Sequence, residues 1–183
     1  MSDRILVCGG NGAGKSTLGR YLAGRLGWVF ADIEDYYFPK RSPDYPYGEV
    51  RSREEVRPLL LRDLRRHENI VIAAVKADFG REVEELFTCA VLVQTPRTQR
   101  LERVRGRSFQ RFGERMQPGG DLYEKEGRFF DMVAQRPEGD VESWLAGTGL
   151  PVIRVDGTKP LERSASTVLR ALVDGYGYRS SQR

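Results

Sequence analysis

The stretch "CGGNGAGKST", residues 8–17, constrains this chain more than any other. After Gly9 and four further residues come Gly14, Lys15 and Ser16, the spacing of a loop that cradles phosphate. The apolar run "RILVC" leads in, and "KSTLGRYLAGRLG" leads out with Leu18, Leu22 and Leu26 at four-residue spacing. That order predicts a buried strand, a glycine loop and an amphipathic helix stopped at Gly27. Glycines permit backbone angles that strain other residues and leave no side chains in the way. The main-chain N–H groups of Gly10, Asn11, Gly12, Ala13, Gly14, Lys15, Ser16 and Thr17 can then face a polyphosphate. The positive end of the helix adds to their pull. Lys15 is expected to reach the β- and γ-phosphates, and the Ser16 hydroxyl suits Mg²⁺. A dinucleotide-binding turn has a different glycine spacing and no use for the lysine.

The alternation continues down the chain. "WVFADIE", "NIVIAAV", "AVLVQT" and "LPVIRVDG" read as four more strands. Between and after them, "SREEVRPLLLRDLRRHE", "PRTQRLERVRGRSFQRFG", "GGDLYEKEGRFFDMVAQRP" and "LERSASTVLRALVDGY" read as helices. Ser52, three residues before Glu55, forms a capping-box signature, and Pro58 is tolerated only near a helix start. Strand and helix in alternation predict an α/β fold, a parallel sheet covered on both faces. The 183 residues contain no repeat, long linker or low-complexity tract, so we expect one domain over 1–178 and a tail at 179–183. "QPGGD" has hinge chemistry, and the region 104–136 is expected to be a movable lid.

Composition excludes more than it selects. The net charge of +4 suits anionic small molecules as well as nucleic acid and separates neither. No run of about 18 apolar residues exists, and the first residues lack the pattern of a secretory leader; a cytoplasmic location is expected. Cys8 and Cys89 sit in apolar runs and read as buried thiols. His67 has no Cys or His partner near it in sequence, so it reads as a surface residue.

Four places together carry a resemblance: the loop at 9–17, the acids at 32–35, the arginines at 103 and 107, and "DGTKP" at 156–160. With these the chain resembles the P-loop kinases of small molecules, a group that includes shikimate, gluconate, adenylate and uridine kinases. The stretch "FQRFGERMQPGGDLYE" is similar to an uncharacterised branch of that group. The resemblance implies a three-layer P-loop NTPase fold, with a five-stranded parallel sheet, helices on both faces and a helical lid. It implies ATP as donor and Mg²⁺ as helper. It does not supply the acceptor.

Ligands of such sheets lie beyond the carboxyl ends of the strands, so Asp32, Glu34 and Asp35 fall at the site. The resembling kinases carry an acid pair here, for metal and for proton transfer. On an extended chain Asp32 and Glu34 share a side; on a helix Asp32 and Asp35 share a face. We favour the helix, with Asp32 near the metal, Asp35 as base and acceptor contact, and Glu34 as a helix cap. "YYFPKRSPDYPYGEVR" then reads as an aromatic wall over the acceptor. Tyr36, Tyr37 and Phe38 offer stacking area; Lys40, Arg41, Arg51 and Arg53 offer anion contacts. An ordinary proline-rich surface loop is the alternative. Asp78, in "VKADFG", stands where some of the resembling kinases keep a metal-shell acid or a substrate contact; a turn former is the alternative.

Arg103, Arg107, Arg111 and Arg115 recur every fourth residue, one basic stripe on a helix. The resemblance implies that Arg103 and Arg107 enter the lid, one packing on adenine and one, catalytic, on phosphate. It also implies that Thr158, Lys159 and Pro160 frame adenine through their backbone. The expected activity is transfer of the γ-phosphoryl of ATP to a hydroxyl, or phosphate, of a small molecule. A switch that transfers phosphate only to water is a second reading, although the guanine motif "NKxD" is missing. An end kinase of nucleic acid is a third, permitted by the arginine stripe. Nucleic acid, membrane and an obligate protein partner are not expected.

Overall fold

The computed structural model describes residues 3–39 and 44–175. Lys40, Arg41 and the tail at 179–183 lie outside the described residues. Five strands form one parallel sheet: β1 (Arg4–Cys8), β2 (Val29–Asp32), β3 (Ile70–Ala73), β4 (Cys89–Gln94) and β5 (Val152–Asp156), in the spatial order β2-β3-β1-β4-β5. All five runs read as strands from the sequence are strands. The three central ones are apolar on both sides because helices cover both faces. Alternation divides their side chains. Leu6, Cys8, Ile70, Ile72, Ala90 and Leu92 enter one core; Ile5, Val7, Val71, Cys89, Val91 and Val93 enter the other.

The second core is closed by helix α1 (Lys15–Leu26), through Leu18 and Leu22, and by the last helix, α8 (Leu161–Val173), through Ala165 and Val168. Gly27 ends α1 in the left-handed conformation, φ 70°, its N–H bonded to the Ala23 carbonyl. The first core is closed by α3 (Arg53–Arg66), whose Val56, Leu60, Leu61 and Leu64 are buried. Each is worth roughly 1.5–3 kcal/mol of apolar transfer. The capping box forms as expected: Ser52 accepts from the Glu55 N–H, and Glu55 accepts from the Ser52 N–H. Pro58 lies in the second turn of α3 rather than near its start, so one i−4 hydrogen bond is missing there.

Two short helices frame the sheet ends, α2 (Ile33–Tyr37) and α4 (Arg81–Glu84). Then come α5 (Arg97–Phe112), a 3₁₀ turn at Gly113–Met116, and α6 (Tyr123–Gln135). The expected arginine stripe is broken here. Gly113 ends α5, so Arg115 leaves the helix and instead grips Asp121 and the Asp44 carbonyl. Helix α7 (Asp140–Thr148) is absent from the sequence reading. Val141 and Leu145, one turn apart, seat it on the first core, and the Trp144 indole donates to Glu84 at 3.1 Å.

Strand order reverses at β1, with β3 and β2 on one side and β4 and β5 on the other. That crevice is where ligands of open α/β sheets bind. The glycine loop sits over it. Parallel register sets Asp32 level with Ala73, and Ala73 level with Val7.

Candidate active site

The loop leaves β1 and enters α1 through two left-handed glycines, Gly12 at φ 79° and Gly14 at φ 103°. At Gly12 any Cβ would lie 2.3 Å from the Arg100 carbonyl oxygen, so only glycine fits. Gly14 caps α1 without a side-chain bond, which leaves the first N–H groups of a 12-residue helix facing outward. The Lys15 ammonium folds back to donate to the Gly10 carbonyl at 2.9 Å. Thr95, just past β4, pins the loop from beneath by donating to the Ala13 carbonyl at 3.1 Å. The Asn11 Oδ1 is buried at the loop without a hydrogen-bond partner.

A cavity of 520 Å³ opens above this loop. Asn11, Gly12, Gly14, Lys15, Ser16 and Thr17 line one wall, with Asp32, Glu34, Tyr37, Arg53, Asp78 and Arg107 on the others. Gly10 and Thr158 face a second cleft of 740 Å³, on the other side of the loop between the ends of β4 and β5. Ala13 is fully buried beneath the loop.

The acids sort differently from the sequence expectation. The helix is real, but its cap is Asp32, not Glu34: the Asp32 carboxylate accepts from the Glu34 N–H at 3.1 Å. Its other oxygen accepts from the Ser16 hydroxyl at 2.5 Å, which sets the two oxygens side by side. Glu34 lines the cavity beside Asp32, while Asp35 is exposed and does not line it. Burial pushes the Glu34 carboxyl above its ordinary value, and Asp32 beside it adds to the rise. The acid spaced two residues after Asp32 was visible in the sequence; its orientation was not.

Tyr36 corrects a second expectation. One residue past Asp35 on α2, it turns into the core, 7% exposed, and its hydroxyl donates to Asp63 at 2.9 Å. It does not line the cavity. Tyr37 does line the cavity, as do Arg53 and Asp78, which approach each other to 3.5 Å. Arg53 also stacks over Phe79 at 5.1 Å. Lys76 and Arg136 line the same wall and share Asp140, at 2.9 and 3.3 Å. Arg136 was not anticipated; it lies 21 residues beyond the arginine stripe, with no local pattern to mark it.

Arg107 reaches the cavity, whereas Arg103 donates to the Gly157 carbonyl at 3.0 Å, against the loop after β5. In that loop Thr158 donates to the Asp156 carboxylate from both N–H and hydroxyl, Lys159 approaches the same acid at 3.9 Å, and Pro160 caps α8. Arg111 donates to the Tyr47 hydroxyl at 3.0 Å and so belongs to the aromatic segment.

A family model described as "AAA domain" matches residues 5–115. The chain is 28% identical over 177 residues to the uncharacterized protein YqaC of Bacillus subtilis (strain 168), covering 92% of this chain and 97% of that one. Among solved structures, a gluconokinase from Sinorhizobium meliloti 1021 superposes with TM-score 0.55 at 18% identity, covering 98% of each chain. A shikimate kinase from Acinetobacter baumannii, in complex with shikimate, gives TM-score 0.54 at 20% identity, over 97% of this chain and 96% of that one. These two likenesses carry the fold, and the family match spans more than half of the sequence. The chain therefore belongs to the AAA domain family, built on the P-loop kinase fold.

Proposed function

We propose that this protein is a phosphotransferase that moves the γ-phosphoryl group of ATP to a hydroxyl of a small molecule, with Mg²⁺ assisting. The observation that carries this reading is convergence: Lys15, Ser16, Asp32, Glu34 and Arg107 line one cavity above a glycine loop. A loop that only held a nucleotide would need neither a half-buried carboxyl of raised pKa nor a wall of side chains opposite it.

Each residue has a task that follows from its position. Main-chain amides and Lys15 hold the phosphates. Ser16 and Asp32 fit Mg²⁺, which takes few protein oxygens and completes its shell with phosphates and water. When bound, that ion neutralises charge on the phosphates. Glu34 takes the hydroxyl proton, the role that the sequence reading assigned to Asp35. Its raised pKa makes it a better base than an ordinary surface carboxylate. Arg107 offers a planar fork to the equatorial oxygens of the transferring group. Arg103 and the loop of Thr158, Lys159 and Pro160 flank the adenine. Tyr37, Arg53 and Asp78 contact the acceptor. The region 104–136 acts as a lid within a domain over 1–178. Among the described residues no helix is long and apolar enough to cross a membrane, and the cytoplasm, where ATP and Mg²⁺ are at hand, is the proposed place of action. The solved neighbours are called gluconokinase and shikimate kinase, names that support phosphorylation of a small molecule by analogy.

The test is ADP release from ATP and Mg²⁺ across a panel of hydroxyl-bearing metabolites. Release well above the rate without acceptor, and lost in Lys15→Ala, is expected. An acceptor-independent rate across the whole panel would leave only hydrolysis.

A further inference from the structure

We infer that the acceptor is a flat nitrogen heterocycle with a hydroxyl-bearing arm, the chemistry of a nucleoside, and that its ring enters a separate aromatic cavity. This rests on the kinase reading above and names its substrate class.

The cavity, 230 Å³, is walled by Phe38, Tyr45, Tyr47, Phe112 and Phe129. It adjoins the catalytic cavity, because Glu34, Phe38, Arg107 and Phe129 line both. The rings hold one another in an edge-to-face box. Phe38 meets Tyr47 at 4.9 Å and 77°, and Tyr45 meets Tyr47 at 5.6 Å and 80°. Its volume is below the roughly 300–1,000 Å³ that encloses a drug-sized ligand, so it takes a ring rather than a whole molecule. The remainder of that molecule must extend past Glu34 and Arg107, toward the glycine loop.

Three observations select the chemistry of the ring. A polyol is disfavoured, since ring faces cannot satisfy the many hydroxyls it would bring out of water. An organic cation is disfavoured too, because the protein's own cations already occupy ring faces. The Lys125 ammonium lies 3.9 Å from the Tyr45 centroid, and the Arg111 guanidinium lies 5.2 and 5.6 Å from Tyr47 and Phe112. A neutral flat ring remains. Glu126 then adds direction. It is 2% exposed and lines the cavity, where its Oε1 accepts from the Tyr45 hydroxyl at 3.0 Å. A carboxylate has lone pairs for further donors, and ring or amino N–H groups are the donors a heterocycle supplies. In the reaction the arm hydroxyl oxygen forms the new bond to the γ-phosphorus. The bond to the β,γ-bridging oxygen breaks, ADP leaves, and the hydroxyl proton passes to Glu34.

The experiment measures ADP release with uridine, cytidine, adenosine and guanosine against gluconate and shikimate, in wild type, Glu126→Gln and Tyr47→Leu. ATP binding is followed separately by calorimetry. Turnover with a nucleoside is expected, with its KM raised about tenfold or more in both variants and the Kd for ATP unchanged. Tyr47→Leu, at a partly exposed position, keeps the test decisive if Glu126→Gln misfolds. Turnover with gluconate or shikimate alone overturns the inference and leaves the kinase reading standing. Nucleoside turnover insensitive to both variants does the same. ATP uptake with no nucleoside consumed or bound also overturns it. Failure of folded protein to bind ATP would remove both readings together.

Discussion

Nucleotide binding by this protein should take up a proton, and Lys15 is the reason. In the ligand-free loop, burial pushes its ammonium down from an ordinary 10.5 to about 8; Arg107 adds to the fall, and Glu34 and Asp32 oppose it. A polyphosphate seated in the loop supplies the missing counter-charge and returns the pKa toward its ordinary range. The sign follows from linkage. A base that is partly neutral when free and fully charged when bound gains protons on binding. About 0.1 proton should be taken up at pH 7, about half at pH 8 and about 0.9 at pH 9. Affinity should accordingly fall about tenfold per pH unit above 8. The γ-phosphate is already ionised in that window, so it does not obscure the signal. The assay is calorimetry of Mg-ATP binding at pH 8 in buffers of unequal ionisation heat, whose slope counts protons. Lys15→Arg keeps a charge that never titrates there, so its uptake should drop to about zero. The same shift acts on the ligand-free fold. Between pH 8 and 10.5 the unfolded chain holds more protons at Lys15, so this residue makes stability rise with pH across that window. The full span is at most about 3 kcal/mol, reduced by the water that still reaches the side chain. No uptake at pH 8 in wild type, or equal uptake in wild type and Lys15→Arg, would refute this account of the loop.

Three further outcomes are expected. Glu34→Gln should lower kcat about 10²- to 10⁴-fold with little change in ATP affinity, whereas exposed Asp35→Asn should stay within about twofold in steady-state assays. A large loss confined to Asp35→Asn would restore the sequence assignment. Tyr36→Phe should cost about 1 kcal/mol in denaturant melts, through the lost bond to Asp63, and leave turnover intact. A Tyr36→Phe variant with normal stability and raised KM would return Tyr36 to the acceptor site. Gly12→Ala should abolish nucleotide binding and lower Tm, because both φ 79° and the Arg100 carbonyl at 2.3 Å exclude the new methyl group.

The sheet and the phosphate end were legible because their signals are local. "RILVC", the glycine spacing and the Leu18–Leu22 face lie within 19 consecutive residues, and each is dictated by backbone physics rather than by a distant partner. The same holds for Ser52 and Glu55, whose reciprocal bonds span three residues. Helix α7 escaped notice because its apolar set is short, Val141, Trp144 and Leu145, and follows a stretch of Pro, Glu and Gly that reads as loop. The acids failed in a more instructive way. Knowing that α2 begins at Ile33 does not say which side of a five-residue helix faces the ligand. Asp32 spends one oxygen on the cap and the other on Ser16, which holds it at the helix end and turns Glu34, not Asp35, into the cavity.

The aromatic cavity was legible only in its first segment, the tyrosine-rich stretch read as an acceptor wall, and for the opposite reason. Its walls come from three segments far apart in sequence: Glu34 to Tyr47, Arg107 to Phe112, and Lys125 to Phe129. Within each segment the residues look ordinary, a tyrosine-rich loop, a basic helix and an acidic helix. Only the packing of α5 against α6 brings Glu126 to Tyr45 across 81 residues, and Arg111 to Tyr47 across 64. The stripe that suggested nucleic acid is thereby dispersed. Arg103 goes to the loop after β5, Arg107 to the cavity, Arg111 to an aromatic ring, and Arg115 to Asp121. Charges divided among such separate partners do not form the single stripe that their spacing predicts. A steep loss of affinity for single-stranded nucleic acid with rising salt, the mark of many phosphate contacts, is therefore not expected of this face. Filter binding across a salt series measures it directly, and a slope of several released counterions would contradict the dispersal.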